Sequence, residues 1–549
     1  MNLFLRTLKS FSRKERWVAG AFLIVFLGSL TTLIFNSFFE WSPSQGRTYT
    51  EGLVGQIIHL NPVFTEFSEA DADISSLIFS GLVKYNAVTG TFDEDLATHT
   101  LSDDHLTYTF TLKNDLYWQD GTELTADDIY YTYATVIQSP DFKNGLLKAN
   151  FDGVKIEEVN TRTVSFTLNS ANSFFFTSLT VGLLPKHLLE NTPVAELDTA
   201  PFNQTPVGTG PYKVDGSYET NNDGSMTVNL SASGNYYGEK PLIEQLRFIA
   251  YPTVTDLIDN RSTWNGAARI RQSLLDKMTL SDLSTFQYEL PQYTALFFNT
   301  NSTFLGKNKE RLALSKAIDK KAILDAIGYK VQIDTPLLEL NQGDWINTFN
   351  TKEAQGALHD AGWDLADGAT VRTDEEGDSF SLRLVRRDFS GTNEPQEETS
   401  KTTAELIQQQ LAAVGVEVKI EAYNEADLQT IIQQRDYDML LYGQSLGYNL
   451  DTFSYWHSSQ ATETGLNLSN YQSPSADLLI EKIRGAFDES DRQSLLDDLA
   501  DTISKDVPAV FLYTPSYYYL VDTKVTGINW QKLLFPKDRF SNITEWELH

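Results

Sequence analysis

The sequence predicts an α/β protein. Three observations carry this. Residues 106–112 alternate apolar and polar side chains, which makes a strand with one buried face, and a helical pattern follows at 125–137. Residues 401–420 repeat the theme as a helix-then-strand unit, with Ile407, Leu411 and Val414 at helical spacing and Val416, Val418 and Ile420 alternating. With 549 residues the chain is too long for one core, so two or three lobes are expected.

Taken in order, residues 1–16 are basic, with Arg6, Lys9, Arg13, Lys14 and Arg16 against Glu15 alone. Residues 17–39 carry no charge. As a helix that run spans about 35 Å, enough to cross a bilayer. The basic flank would stay in the cytoplasm and the rest be exported. The run is long for a signal-peptide core, and 34–39 offer no Ala-x-Ala-like cleavage site, so an uncleaved single-pass anchor is expected. Residues 40–47 read as a spacer. A first strand is expected within 48–62 and a helix at 68–79.

In the next stretch Trp118 precedes Gln119-Asp120-Gly121, a strong turn signal. Thr125 with Asp128 resembles a capping box, Ile129, Tyr133 and Ile137 follow at helical spacing, and Ser139-Pro140 ends the helix. Two strands are expected at 154–156 and 163–168. Gly208-x-Gly210 lacks a third glycine, and Pro211 leads into a strand, so a backbone bend is expected rather than a nucleotide loop. Further strands are expected at 243–251, 294–299, 438–442 and 510–513, with helices at 309–327, 475–489 and 491–504. The acidic stretch 374–378 lacks the spacing of a calcium loop and reads as a solvated hairpin tip.

Several of these runs resemble one family in order. They are the "L-A … S-D-D … W-Q-D-G-T-E-L-T-A-D-D" run from Leu96 to Asp128, Leu184-Pro185-Lys186-His187, Pro206-Val207-Gly208-Thr209-Gly210-Pro211-Tyr212, Asn235-Tyr236-Tyr237-Gly238, and Arg311 to Asp319. The family is that of the large solute-binding proteins of ATP-driven importers, which take up oligopeptides, dipeptides and nickel chelates. The resemblance covers roughly residues 48–530. It implies a two-lobed periplasmic-binding-protein-like fold of type II. Lobe I would be 48–290 with an extra subdomain at about 86–203, lobe II 291–510, and 511–549 a return to lobe I. The two crossings would lie near 289–294 and 507–513.

With the anchor expected at 17–39, the resemblance implies a membrane-tethered extracellular receptor. It would capture a solute, expected to be a peptide, between its lobes and hand it to importer permeases, working as a monomer. Ligand contacts would come from Thr65, Glu66 and Phe67, then Tyr442, Gln444, Ser445, Leu446, Gly447, Tyr448 and Asp451, with Trp456, His457 and Tyr513 beyond. Peptide-binding relatives place an aspartate in a "W-x-x-D-(Y/N)-x-(D/E)-P" loop to pair with the ligand's free amino group. Here that position falls on Leu446 or Gly447, so no requirement for a free N-terminus is expected. Asp451 and Glu66 are the acids near enough to substitute.

Composition narrows the field. A net charge of −31 disfavours a nucleic-acid partner. The absence of cysteine excludes disulfides, thiolate metal sites, a cysteine nucleophile and a lipid-modified cysteine tether. No H-E-x-x-H or Walker loop is present, and the seven histidines show no metal spacing, so no catalytic residue, metal or cofactor is expected. A surface chaperone or sensor on the same fold and an enzyme acting on cell-surface polymers are the alternatives to transport.

Overall fold

The computed structural model describes residues 48–549, apart from 66–67, 276–277, 279, 341, 343–347, 391–392 and 449. The expected anchor at 17–39 lies outside the described residues. Among those described, no helix is long and apolar enough to cross a membrane.

Strand β1 (Thr48–Val54) leads through helix α1 (Glu69–Ile78) to the hairpin β2 (Val83–Asn86) and β3 (Thr91–Glu94). A four-stranded antiparallel sheet follows, built from β4 (Ala97–Leu101), β5 (Thr107–Leu112), β6 (Lys155–Asn160) and β7 (Thr163–Thr167), with helix α2 (Ala126–Tyr130) packed on it. Next come β8 (Tyr212–Val214), β9 (Glu219–Thr220), β10 (Met226–Ala232), β11 (Gln245–Tyr251), β12 (Gly266–Ile270) and β13 (Leu283–Glu289). The chain then enters β14 (Gln292–Phe298), α3 (Asn308–Ala317), α4 (Lys320–Ile327), β15 (Ser381–Arg387), α5 (Glu394–Ala412), β16 (Glu417–Tyr423) and β17 (Met439–Ser445). Helices α6 (Pro474–Gly485) and α7 (Glu489–Asp506) precede β18 (Ala509–Tyr513) and β19 (Ser516–Asp522).

These strands make two large sheets, one per lobe. The first runs β13-β19-β12-β1-β11-β10-β8 with β9 at the β10 edge, and the second runs β16-β15-β17-β14-β18. The chain passes between them at Leu290-Pro291 and at Thr514-Pro515. The second crossing was expected at 507–513, but Val510 pairs with Leu296 and Tyr513 with Thr294, so those residues belong to the second sheet. Each crossing carries a proline, which has no N–H to donate to a ladder, so neither strand can extend past it.

Side-chain alternation divides the second lobe's interior. On β14, Leu296 and Phe298 enter one core with α3 and α5, while Tyr293, Ala295 and Phe297 enter another with α6 and α7. A strand buried on both faces reads as a continuous apolar run, which is what residues 294–298 are. On β5 the two-residue period buries Tyr108, Phe110 and Leu112 and leaves Thr111 exposed.

Two expected helices differ. The single helix at 309–327 is two, because Ile318 is extended (φ −94°, ψ 112°) and Asp319 caps α4 by accepting the Ala322 N–H at 3.0 Å. The helix at 125–137 is α-helical only to Tyr130 and then widens into a π-turn through Ile137. Thr132 Oγ donates to the Asp128 carbonyl at 2.8 Å within that wider stretch. Ile129, Tyr133 and Ile137 are buried all the same. The acidic tip is self-satisfied, with Asp374 Oδ1 accepting the N–H groups of Glu376 (3.0 Å) and Asp378 (2.8 Å).

Candidate functional site

A cavity of about 1650 Å³ lies between the lobes. The first lobe supplies α1, Arg269 on β12, and the segment around Lys537 and Asp538. The inserted sheet region adds Asn172 and Phe175, and the second lobe adds the loop Ser445 to Tyr448 with Phe453 and Arg484.

The α1 wall is fixed by local chemistry. Ser68 caps the helix by accepting the Asp71 N–H at 3.1 Å, and Asp71 in turn accepts the N–H groups of Ile58 and His59, both at 2.9 Å. That ties the loop after β1 to the first helical turn. Two of the matched sequence runs also dock on one another beside this helix. Gln119 of the Trp-Gln-Asp-Gly turn accepts the Gly208 N–H at 3.0 Å and donates to the Tyr212 carbonyl at 2.6 Å. Gly208 lies so close to α1 that a Cβ there would stand 2.0 Å from the Ile78 carbonyl oxygen. The Gly-x-Gly run is thus a close-approach bend, as its sequence context predicts.

Beneath the cavity sits a buried ionic network. Arg539 donates to Glu51 at 2.8 Å and to Asp73 at 2.7 Å, and Arg269 reaches both oxygens of Asp73 at 3.0 and 3.1 Å. Tyr519 donates to Glu51 at 3.1 Å, and Tyr49 is bonded to the same carboxylate. Burial pushes the Glu51 carboxyl up. Burial also acts upward on Asp73, but the guanidiniums of Arg269 and Arg539 outweigh it and hold that carboxyl below its usual range. Arg269 gets there from a β-bulge: its φ is +64° and the pairing of β12 with β19 shifts at that point. Along another wall, Tyr237 donates to Asp95 at 2.7 Å, and Lys84 pairs with Asp95 at 3.5 Å.

The sequence-predicted contacts divide among several places. Thr65, Ser445, Leu446, Gly447, Tyr448 and Asp451 line the large cavity. Tyr442, Gln444, Ser445 and Tyr513 line a separate cavity of about 250 Å³ with Arg271 and Arg387. Gln444 is buried and hydrogen-bonded to Tyr293 at 2.7 Å, and Trp456 is buried in the second lobe's core, donating to the Tyr293 hydroxyl at 3.2 Å. His457 stacks on Phe453 and faces Glu481 at 3.5 Å. Glu66 and Phe67 lie outside the described residues. Asp451 pairs with Arg484 at 3.1 Å and accepts the Phe453 N–H at 3.0 Å, so its charge is already matched. Burial pushes the Asp451 carboxyl up, with Arg484 pulling it back.

Arg269, Asp73, Lys537, Asp538 and Tyr237 also line the cavity without having been singled out from sequence. One signal was available for two of them: Lys537-Asp538-Arg539 is a charged triplet between the apolar Leu533-Leu534-Phe535 and Phe540. Charges enclosed by apolar neighbours are buried and must be matched.

A family model described as bacterial extracellular solute-binding proteins, family 5 Middle, matches residues 91–465, more than half of the chain. The chain belongs to this family. It is thus one of the solute-binding proteins of ABC importers. The oligopeptide-binding protein AppA of Bacillus subtilis is 25% identical over 531 residues, covering 92% of this chain and 92% of its own. Among solved structures, NikZ of Campylobacter jejuni in complex with Ni(L-His) superposes with a TM-score of 0.74 at 25% identity, covering 91% of this chain and 99% of that one. AppA of Bacillus subtilis with a nonapeptide superposes at 0.72 with 24% identity, covering 91% and 99%. The two-lobed α/β fold is the fold these proteins share.

Proposed function

We propose that this protein captures a peptide of several residues between its lobes and passes it to an importer's permease. The observation that carries the reading is the cavity: about 1650 Å³ enclosed by both lobes. Sites for small ligands are typically about 300–1000 Å³, so this one has room for an extended chain. A nonapeptide in the Bacillus relative supports the same size class. The role is binding and not catalysis, and the protein acts as a monomer. The uncharged run at 17–39 with its basic flank supports an uncleaved anchor that holds the binding domain outside the cell. Lobe I is taken as 48–290 with its inserted sheet, lobe II as 291–514, and the remainder as the return to lobe I. The full chain, purified from its native membrane and analysed by native mass spectrometry, is expected to carry peptides. Recovery of only metal chelates or sugars would reject the peptide reading.

A further inference from the structure

Among the described residues, the cavity holds a positive charge with no carboxylate partner. Three other cations line it, and each has a carboxylate: Lys84 with Asp95 at 3.5 Å, Arg269 with Asp73 at 3.0 Å, and Arg484 with Asp451 at 3.1 Å. Lys537 has none among the described residues. Its Nζ lies 5.4 Å from the ring centre of Tyr448 and 5.5 Å from that of Phe535. The two carboxylates whose field reaches it are engaged elsewhere. Asp538 accepts the Tyr448 hydroxyl at 2.7 Å and the N–H groups of Leu534 (3.0 Å) and Phe535 (2.6 Å), while Asp73 serves Arg269 and Arg539. The chain has 74 acidic and 43 basic side chains, so carboxylates are plentiful and an ammonium left without one in a cavity is a specific arrangement. A half-buried ammonium beside aromatic faces recovers part of the hydration it has lost, and a directly bonded anion recovers more.

We propose that Lys537 is the anion-binding anchor of this cavity and that the bound solute presents a carboxylate to it. The inference rests on the reading of the cavity as the solute site. A carboxylate is favoured over a phosphate because Glu69, Asp95, Asp152, Glu239 and Glu481 also line the cavity and repel a dianion more than a monoanion. The anchor is shared between lobes. Lys537 and Phe535 come from the first, and Tyr448 comes from the loop after β17 of the second. The anion site is therefore complete only when the lobes meet, which couples recognition of the carboxylate to closure.

The test uses the full chain and two random pentapeptide pools made without acidic residues, one with free C-terminal carboxylates and one with C-terminal amides. In affinity-selection mass spectrometry the acids are expected to be enriched at least tenfold over the amides, roughly 1.4 kcal/mol. Lys537→Met should abolish that enrichment and Lys537→Arg should keep it. Equal binding of the two pools to the wild type, or an enrichment that survives Lys537→Met, overturns the assignment. If neither pool binds the wild type, the peptide reading fails by itself, and thermal melts with butyrate, a monoanion, decide the lysine. A melting temperature raised by butyrate in wild type and Lys537→Arg but not in Lys537→Met upholds the anchor. An equal response in all three, or no response in any, overturns it. Ligand-free Lys537→Met is expected to melt no lower than wild type, because it removes an unmatched charge, whereas a structural lysine would lower the melt when truncated.

Discussion

Arg539 divides its guanidinium between Glu51 and Asp73 with no exposure to solvent on any of the three. Removing one member of a buried ion pair leaves the others charged and desolvated, at a cost of about 3–5 kcal/mol. Arg539→Met is therefore expected to lower unfolding free energy by that amount in a urea titration, and a loss under about 1 kcal/mol would show that water or a neighbour takes over its role. The cavity acid Asp451 is a different case. Its partner Arg484 at 3.1 Å already neutralises it. Calorimetry with matched free and N-acetylated peptides is expected to give equal affinities, and Asp451→Asn should leave that equality intact. A tenfold loss on acetylation that disappears in Asp451→Asn would instead make Asp451 the amine anchor. Asp451 was named from the sequence as a cavity residue, but the Arg539 network was not. Glu51 and Arg539 are 488 positions apart, and nothing local to either signals that they meet.

At the scale of elements the sequence was far more informative, because strand and helix periods are local. The alternation at Tyr108, Phe110 and Leu112, the apolar run of β14, and the Thr125 helix start are all where their patterns place them. Asp128 returns its carboxylate to the Thr125 N–H at 3.0 Å, so the capping residue and its partner could be read from spacing alone. The misread elements have equally local causes. Asp319 was counted inside a helix, yet it is a good N-cap and starts a new one. Gln444 lies on the expected strand but turns to Tyr293, and which face of a strand meets the cleft depends on a one-residue parity that sequence leaves open, while Trp456, on a short helix beyond it, packs into the second lobe's core. The Gly-x-Gly bend gives the prediction at this scale. Gly208→Ala would drive a Cβ to 2.0 Å from the Ile78 carbonyl, so either α1 or the loop must shift. The expected cost is about 1–3 kcal/mol, read as a lower urea midpoint. Because α1 carries Asp73 into the cavity, affinity should fall with it. Unchanged stability would mean that the loop yields freely and that the Gln119 bonds do not fix it.

For the whole molecule, the contact that bears on closure around the proposed anion site is a side chain that crosses from lobe to lobe. Tyr448 leaves the second lobe and enters an aromatic box in the first, with ring centres 5.7 Å from Tyr85, 5.6 Å from Phe92 and 4.6 Å from Phe535. Its hydroxyl donates to Asp538 at 2.7 Å. The neighbouring Gly447, at φ +65°, permits the approach, since a Cβ there would stand 3.1 Å from the Phe535 ring. Other ties cross as well: Arg271 of the first lobe donates to the Tyr329 hydroxyl and to Gln396 of the second, the Ser173 N–H donates to the Arg484 carbonyl at 2.7 Å, and Gln292 donates to the Tyr517 hydroxyl at 2.9 Å. With only two chain crossings between the sheets, opening requires few backbone changes beyond breaking these contacts. A hydrogen bond to a charged group contributes about 1.5–3 kcal/mol, so Tyr448→Phe should shift the closed-to-open ratio by about tenfold or more. Tyr448→Ala also empties the aromatic box and should shift it further. The chain has no cysteine, so labels at Thr220→Cys on the first sheet and Lys419→Cys on the second report only the pair introduced. Pulsed electron-spin distance measurements are expected to show one short distribution in the parent, a second and longer one in Tyr448→Phe, and mainly the longer one in Tyr448→Ala. Saturating peptide should restore the short distance in Tyr448→Phe. A single unchanged distance in both variants would show that the remaining contacts hold the lobes together and that Tyr448 packs against the cleft without governing it.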